Sequence, residues 1–351
     1  MARAFRLRRL PAPTNVSGVT RSADARLWHD GTRGVWRLIL SGMTVGGAPP
    51  VLLHYESKSL VSGWKYTGVL YTAHSGANRM ECPSYTRFAN GTALLVFSWP
   101  HRGYDQFWVS GVEDPHTSAF TPKQSGQLEF GVGYAGAMTA AWPGRLLSFS
   151  WMRGVSDGSS YVGAQSLPRE LNVHPDYTVT ISAAVELEKL LKQPTTTEHL
   201  VAPSSGETVA FKHRVPQQAC LRINASASGP RLPANAGITL VNEDGAVADS
   251  APQLQLEVVI SAGGACLSLP HAGCMPIAPP SVEASGAWTM ALDATLWLDN
   301  GLVEMYTTGG SAVLSAFVPA LFGDAPLGGS VGATENATAS FGMSWNEVAS
   351  A

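Results

Sequence analysis

The stretch Leu-Ser-Phe-Ser-Trp at positions 147–151 alternates large apolar residues with serines, the period-two pattern of a β-strand. The same theme occurs earlier as Leu-Val-Phe-Ser-Trp at 95–99 and as Trp-Arg-Leu-Ile-Leu at 36–40. Blocks of roughly 50 residues that each hold several short strands are typical of a β-propeller, whose four-stranded blades surround a central channel. We therefore predict a propeller for the first half of the chain.

Further strand candidates lie between these anchors and are bounded by Gly, Asp and Ser turns. They are Val51–Tyr55, Trp64–Tyr71, Gln106–Gly111, Gln127–Tyr134 and Tyr161–Ala164. Together they predict three blades and part of a fourth over residues 21–181. Residues 1–20 show no periodicity, and we expect an irregular segment there.

Residues 182–193 carry the one good helical pattern, with Val185, Leu187 and Leu190 on one face. The pattern ends before Pro194, and the Thr- and Ser-rich sequence that follows is typical of a linker. A helix and linker are thus predicted for residues 182–204.

Plain strand alternation resumes after residue 205. Between positions 254 and 260 the even positions are apolar, whereas Gln255 and Glu257 point the other way, as in a sheet with one buried face. Asn300-Gly301 between two apolar runs is the best hairpin signal in the chain. Residues 205–351 are predicted to form a β-sandwich, which makes the protein all-β.

Composition agrees with many short strands and limits the function. The 351 residues include 36 Gly and 23 Pro, and only 14% are charged. A net charge of -3 provides no basic field for nucleic acid, and a neutral substrate fits better. We expect no nucleic-acid partner and, without an apolar run long enough to span a bilayer, no membrane partner.

The four cysteines are too few for a disulfide framework, and their spacings match no zinc pattern. Cys266 and Cys274 have the spacing to close a short loop in an oxidising compartment. Asn-x-Ser/Thr sequons at Asn15, Asn90, Asn224 and Asn336 favour the same environment. The secretory pathway is therefore favoured, although residues 1–10 do not form a signal peptide.

The chemistry-bearing candidate is the stretch Met80-Glu81-Cys82-Pro83-Ser84-Tyr85, which opens a strand-like run. Catalytic carboxylates are often placed on loops at the mouth of a strand. By itself, however, a Glu beside a Cys is more often a solvated acid next to a small buried residue.

This hexapeptide resembles the Glu-Cys-Pro/Val-Asp segment of family 32 glycoside hydrolases, the invertases and fructan hydrolases. Four later segments resemble the same family in the same order: Gly131–Ala135, Arg145–Met152, Ser166–Leu171 and Leu298–Tyr306. The fourth of these five stretches contains the Leu-Pro-Arg-Glu-Leu signature. The resemblance implies a five-bladed propeller, its first blade missing or incomplete here, followed by a C-terminal β-sandwich. It further implies hydrolysis of terminal β-fructofuranosidic bonds in sucrose or fructans by a retaining mechanism, with no metal or organic cofactor.

Residue roles also follow from the resemblance. Glu81 matches the general acid and base, and Asp24, in Arg21-Ser22-Ala23-Asp24, is the nearest counterpart of the Asp in an Arg-Asp-Pro motif. Because that motif is broken by two residues, Asp24 is alternatively a surface residue of an N-terminal turn. Substrate contacts are implied for Arg21, Cys82, Glu129, Tyr134 and Trp151. Glu129 stands where the family has Asp, and Tyr134 and Trp151 are alternatively core residues.

The family nucleophile is the Asp of a Trp-Met-Asn-Asp-Pro-Asn segment, and these 351 residues contain no such segment. The expectation is therefore a fructosidase chain that lacks its first blade and is inactive as it stands. Two alternatives remain: a carbohydrate-binding pseudoenzyme of the same fold, favoured by Ser84 and Glu129 in place of Asp, and a β-rich binding module in which Glu81 is incidental.

Overall fold

The computed structural model describes residue 10, residue 16 and residues 18–73, 79–100, 105–141, 144–156, 162–242, 253–261, 264–269, 272–299, 301–318, 321, 326–335 and 337–349. Contacts divide the chain into two compact units. The first comprises Met1–Gln127, Tyr134–Ser150 and Val173–Val179, and the second comprises Leu128–Gly133, Trp151–Asn172 and Thr180–Ala351. Within the described residues no helix is long and apolar enough to cross a membrane.

The first half of the chain forms antiparallel sheets of consecutive strands. The first sheet contains β1 (Val19–Asp30), β2 (Val35–Thr44), β3 (Val51–Ser57) and β4 (Lys65–Thr72), in that order. The next four strands are again neighbours in chain order: β5 (Glu81–Arg87), β6 (Thr92–Trp99), β7 (Asp105–Glu113) and β8 (Phe120–Glu129). Four-stranded sheets of this kind are the blades of a propeller.

A third sheet has the order β11-β10-β12-β13, with β9 also beside β10. Its strands are β9 (Gly133–Ala141), β10 (Arg145–Ser156), β11 (Val162–Gln165), β12 (Arg169–Val173) and β13 (Val179–Ala183). The predicted strands around Trp36, Phe97 and Phe149 are therefore confirmed. In β10, however, the buried side chains are Leu146, Ser148, Ser150, Met152 and Val155, whereas Trp151 is 45% exposed.

The second unit contains two sheets that share one core. Their strands are β14 (Thr196–Ala202), β15 (Val209–Ala210), β16 (Gln218–Gly229), β17 (Ala234–Val241), β18 (Gln253–Ser261), β19 (Gly264–Ser268), β20 (Cys274–Ile277), β21 (Ser281–Val282), β22 (Trp288–Asp299), β23 (Leu302–Thr307), β24 (Val313–Phe317), β25 (Gly328–Ala333) and β26 (Thr338–Glu347). One sheet runs β14-β26-β16-β22-β23-β24, and the other runs β15-β25-β17-β18-β19-β20. Buried residues of both sheets, among them Leu221, Leu256 and Phe341, pack in a single cluster, which is the arrangement of a β-sandwich.

Several local predictions for this unit are confirmed. Leu254, Leu256, Val258 and Ile260 of β18 are buried in the sandwich core, as the alternation predicts. A two-residue hairpin connects β22 to β23, and its Gly301 has a φ of 83°. Its other residue, Asn300, lies outside the described part of the chain. Cys266 and Cys274 form a disulfide between β19 and β20.

The predicted helix and linker differ from the structure. Only Val185–Leu190 is helical, as a 3-10 helix, because β13 extends to Ala183. Leu187 of the predicted apolar face is buried, but Val185 and Leu190 are 61% and 41% exposed, so only part of that face packs against a core. Most of the predicted linker forms β14, which pairs with β26. Val19, inside the segment predicted to be irregular, begins β1.

A buried ion cluster lies between the two sheets of the first unit. Arg37 is fully buried, and its guanidinium donates to both carboxylate oxygens of Glu113 at 2.8 and 2.9 Å. Tyr85 of β5 donates to the same carboxylate at 2.7 Å. The guanidinium of Arg37 also lies 5.0 Å from the ring centre of Trp28 in β1. These contacts tie β1, β2, β5 and β7 together and fix the strands that carry Asp24 and Glu81.

Candidate active site

Two β-bulges bring Asp24 and Cys82 together. The pairing of β1 with β2 shifts register between Ala23 and Arg26, and that of β5 with β6 shifts between Glu81 and Ser84. Asp24 and Cys82 both have positive φ, 52° and 47°. Bulges of this kind re-aim side chains and are frequent beside active sites. Here the Cys82 backbone N–H donates to Oδ2 of Asp24 at 3.1 Å, which holds the two bulges against each other.

Glu81 lies at the start of β5, next to this contact. The Tyr134 hydroxyl donates a hydrogen bond to its Oε2, and Arg79 forms an ion pair with its Oε1. Tyr134 is only 5% exposed, and its burial together with the Glu81 carboxylate raises the pKa of the Tyr134 hydroxyl above its usual value. The phenol therefore stays protonated and acts as a fixed donor to Glu81.

Strand β9, which carries Tyr134, is anchored by hydrogen bonds to β5 and to β1. The Met138 N–H donates to Oγ of Ser84 at 3.0 Å, and Nη2 of Arg26 donates to the Met138 carbonyl at 2.7 Å. Ala135 has a φ of 52°, a third strained position at this place. Sequence reasoning treated Ser84 only as a departure from the family pattern, whereas the structure makes it the anchor of β9.

The thiol of Cys82 is not a reactive group. Burial raises its pKa to about 11, and the negative charges of Asp24 and Glu81 act in the same direction. Through its backbone Cys82 contacts Asp24, and through its sequence position it adjoins Glu81. The contribution of Cys82 here is a strained backbone rather than a nucleophile.

Glu129 has internal partners instead of an open pocket. It is 1% exposed, and its carboxylate accepts from Nη1 of Arg169 at 2.8 Å and from Oγ of Ser315 at 2.7 Å. Arg169 is itself fully buried and donates to Glu304 at 2.8 Å. A buried carboxylate satisfied in this way has a structural role, so the structure gives no support to Glu129 as a sugar contact.

The other two predicted contacts stay predictions. Trp151 is substantially exposed on β10, as a stacking platform requires. Arg21 is exposed on β1 and pairs in register with Met43.

Sequence reasoning missed Arg79. Arg79 lies two residues before Glu81. Because side chains two positions apart in an extended chain lie on the same face, this spacing could have predicted the contact between Arg79 and Glu81. Among the described residues no three His, Cys, Asp or Glu side chains are grouped so as to hold a metal ion.

Taken together, the chain has propeller-type sheets, a β-sandwich and a carboxylate at the mouth of a blade strand, which is the architecture of a group of glycoside hydrolases. Residues 12–185 match the family model for the glycosyl hydrolases family 32 N-terminal domain. This part of the chain therefore belongs to glycoside hydrolase family 32.

Solved structures share the fold over nearly the whole chain. The β-fructofuranosidase of Aspergillus kawachii, complexed with glycerol, has a TM-score of 0.73 at 18% identity, covering 96% of this chain and 72% of its own. The fructosyltransferase of A. japonicus has a TM-score of 0.72 at 14% identity, covering 97% and 74%. Fructan 1-exohydrolase IIa of Cichorium intybus, in complex with 1-kestose, has a TM-score of 0.70 at 15% identity, covering 97% and 75%. No curated protein sequence matches the chain.

Proposed function

We propose that the site at Glu81 is the acid/base half of a β-fructofuranosidase site of the retaining type, acting on sucrose or fructans. The observation that carries the proposal is the convergence of Glu81, Asp24 and Tyr134 at two facing β-bulges. In retaining hydrolysis one carboxyl group protonates the leaving oxygen and then activates water, while a second attacks the sugar. Glu81 is assigned the first role, and Asp24 the contact with the sugar hydroxyls.

An unpaired donor next to Glu81 supports a polar ligand. Nε of Arg79, whose guanidinium pairs with Glu81, is buried and has no hydrogen-bond partner among the described residues. A buried donor without a partner costs stability, and a sugar hydroxyl bound at the site would satisfy it. The named ligands of the structural relatives, 1-kestose and glycerol, are polyols.

The covalent step requires a nucleophile that we do not assign in this chain. The 351 residues lack the Trp-Met-Asn-Asp-Pro-Asn segment of the family. Removal of a nucleophile forfeits most of the rate enhancement but leaves binding. We therefore expect the chain by itself to bind fructosides and to release no fructose.

The second candidate function is that of a pseudoenzyme, which binds the sugar but does not hydrolyse it. The departures from the family pattern at Asp24, Ser84 and Glu129 favour it. The two candidates differ in what a supplied nucleophile would do. Only in the enzyme would azide, a small anionic nucleophile, restore turnover.

The test compares wild type with Glu81→Gln by titration calorimetry against sucrose and 1-kestose. Glu283→Gln, an exposed Glu of the second unit, is the control for the change in charge. We expect binding in all three proteins, with Glu81→Gln within about threefold of wild type, since ground-state contacts change little. Azide-dependent release of glucose from sucrose, with fructosyl azide as the second product, in wild type but not in Glu81→Gln would identify the enzyme. Absence of sugar binding in correctly folded wild type would refute both candidates.

A further inference from the structure

A groove crosses the outer face of the larger sandwich sheet, far along the chain from Glu81. Its volume is about 520 Å³, a size typical of small-ligand sites. One row of paired residues runs along it across β22, β16, β26 and β14: Asp293, Asn224, Gly342 and His199. We call this cavity the outer-face groove.

Small residues at the centre of the row create the depression. Gly342 has no side chain, and its neighbours on the same face along β26 are Ser340 and Ser344. On β16, Ser226 lies two residues from Asn224 and shares its face. The His199 ring lies against Gly342, 3.3 Å from the point where a Cβ would stand, and Arg222 also lines the groove. Asn224 therefore projects from the floor of a groove instead of from a flat sheet.

The lining is polar, and its Arg222 and Asp293 side chains each have a partner. Arg222 forms an ion pair with Glu188, and Asp293 accepts a hydrogen bond from Nδ2 of Asn224. The remaining polar groups are mostly the hydroxyls of Ser226, Ser340, Ser344 and Thr197. Short hydroxyls both donate and accept, so they match a neutral ligand that presents many hydroxyl and amide groups.

Asn224-Ala225-Ser226 is also an acceptor sequon for N-glycosylation, and both of its polar residues are exposed. The Cys266–Cys274 disulfide is an independent sign of the oxidising compartment in which this modification takes place. We propose that Asn224 carries an N-glycan whose first sugars lie in the outer-face groove.

The chemistry is compatible with the contacts of Asn224. In the transfer, Nδ2 of Asn224 forms a bond to C1 of a lipid-diphosphate-linked oligosaccharide. The C1–O bond to the phosphate breaks, the lipid diphosphate leaves with the electron pair, and Nδ2 loses one proton. The remaining hydrogen on Nδ2 can still be donated to Asp293. This hydrogen bond fixes the orientation of the side-chain amide and therefore the direction in which the first sugar extends from β16.

Occupancy is tested on protein expressed in the source organism. Enzymatic removal of N-glycans in heavy-oxygen water converts an occupied Asn into a labelled Asp, which peptide mass spectrometry locates. We expect the label at position 224 in wild type, its loss in Ser226→Ala and its retention in Ser226→Thr. Ser340→Ala is the matched control, because Ser340 pairs with Ser226 in the groove but lies outside the sequon. An unmodified Asn224 in wild type would overturn the proposal.

Seating in the groove is tested with an endoglycosidase that cuts between the first two sugars. We expect the Asn224 glycan to be cut more than tenfold more slowly in the native protein than after denaturation. Gly342→Leu, which fills the depression, should remove that protection in a variant whose unfolding temperature shows that it is folded. Equal cutting rates in native and denatured wild type would contradict the seating.

Discussion

Backbone strain at single residues gathers around the proposed site. Within the described part of the chain five non-glycine residues have positive φ, and Asp24, Cys82 and Ala135 are three of them. Such conformations cost of order 1–3 kcal/mol each and persist where the surroundings impose them. Here the hydrogen bonds from the Cys82 N–H to Asp24 and from Tyr134 to Glu81 impose them. The strain is thus tied to the contacts that orient both carboxylates.

The thiol of Cys82 gives a prediction at this scale. With its pKa raised to about 11, its thiolate fraction at pH 8 is about 100-fold below that of an ordinary thiol. Alkylation of Cys82 by iodoacetamide, followed by peptide mass spectrometry, should be slower than that of glutathione by a similar factor. Asp24→Asn should restore only part of the rate, since burial is the larger cause. A wild-type rate equal to that of glutathione would contradict the assigned environment.

At the scale of elements, a buried ion cluster joins strands of the second unit. Arg169 of β12 contacts Glu304 of β23 and Glu129, and the Leu167 N–H also donates to Glu304 at 2.6 Å. Burial alone would lower the pKa of Arg169, but the Glu304 and Glu129 carboxylates raise it above its usual value. In the 166–171 segment, Arg169 therefore has a structural part, because it joins β12 to β23.

Substitution of Arg169 should lower the free energy of unfolding. Arg169→Met leaves two buried carboxylates without their cation, which typically destabilises a protein by about 3–5 kcal/mol. Lys192→Met is the control, because the Lys192–Glu347 pair is about half exposed and such pairs contribute roughly 0–1 kcal/mol. Urea unfolding of both variants measures the difference. Equal costs would show that the buried cluster does not stabilise the fold.

The Cys266–Cys274 bridge is a second element-scale contribution. It closes a short loop between β19 and β20, and loops of this length restrict the unfolded chain by about 2–3 kcal/mol. The double variant Cys266→Ser, Cys274→Ser should lower the free energy of unfolding by that amount. Cys220→Ser, a buried free cysteine in the same unit, controls for the substitution itself. A reducing agent should reproduce the loss in wild type and have no effect on the double variant.

At the scale of the whole molecule, charges are buried in both units while the net charge is small. In the first unit the burial of His54 beside Arg37 and Arg33 lowers its pKa to about 3. Nε2 of His54 accepts from Nε of Arg37 at 3.2 Å, and Nδ1 lies 2.8 Å from the Thr67 hydroxyl, so the neutral ring satisfies both partners. A carboxylate oxygen of Glu56 lies 3.8 Å from Nε2 of His54, and Arg33 forms an ion pair with the same carboxylate.

This environment predicts a pH dependence of folding. Because the folded pKa of His54 lies below the unfolded value of about 6.5, its contribution is complete above that pH and is lost as the pH falls toward 3. By pH 5 the loss should be about 2 kcal/mol. Urea midpoints of wild type and His54→Gln at pH 7 and pH 5 check it. The variant should lose less between the two values, and an equal loss would exclude His54 as the source.

The sequence by itself determined the all-β class, the change of pattern after residue 205 and the hairpin at Gly301, and it singled out Glu81 as a candidate. These follow from alternation, turn residues and local motifs, which are properties of neighbouring residues. Blade count and domain boundaries stay predictions. The amphipathic pattern at 182–193 predicted a longer helix than Val185–Leu190, because only the packing shows that Val185 and Leu190 stay exposed.

The tertiary structure alone determines which polar residues come into contact. Asp24 contacts Cys82 from 58 positions away, and Glu129 meets Ser315 across 186. Arg79 as a partner of Glu81, Ser84 as the anchor of β9 and Glu129 as a buried structural carboxylate depend on bulges and sheet register. One register shift reverses the face of every following side chain, so no local pattern could have specified these contacts.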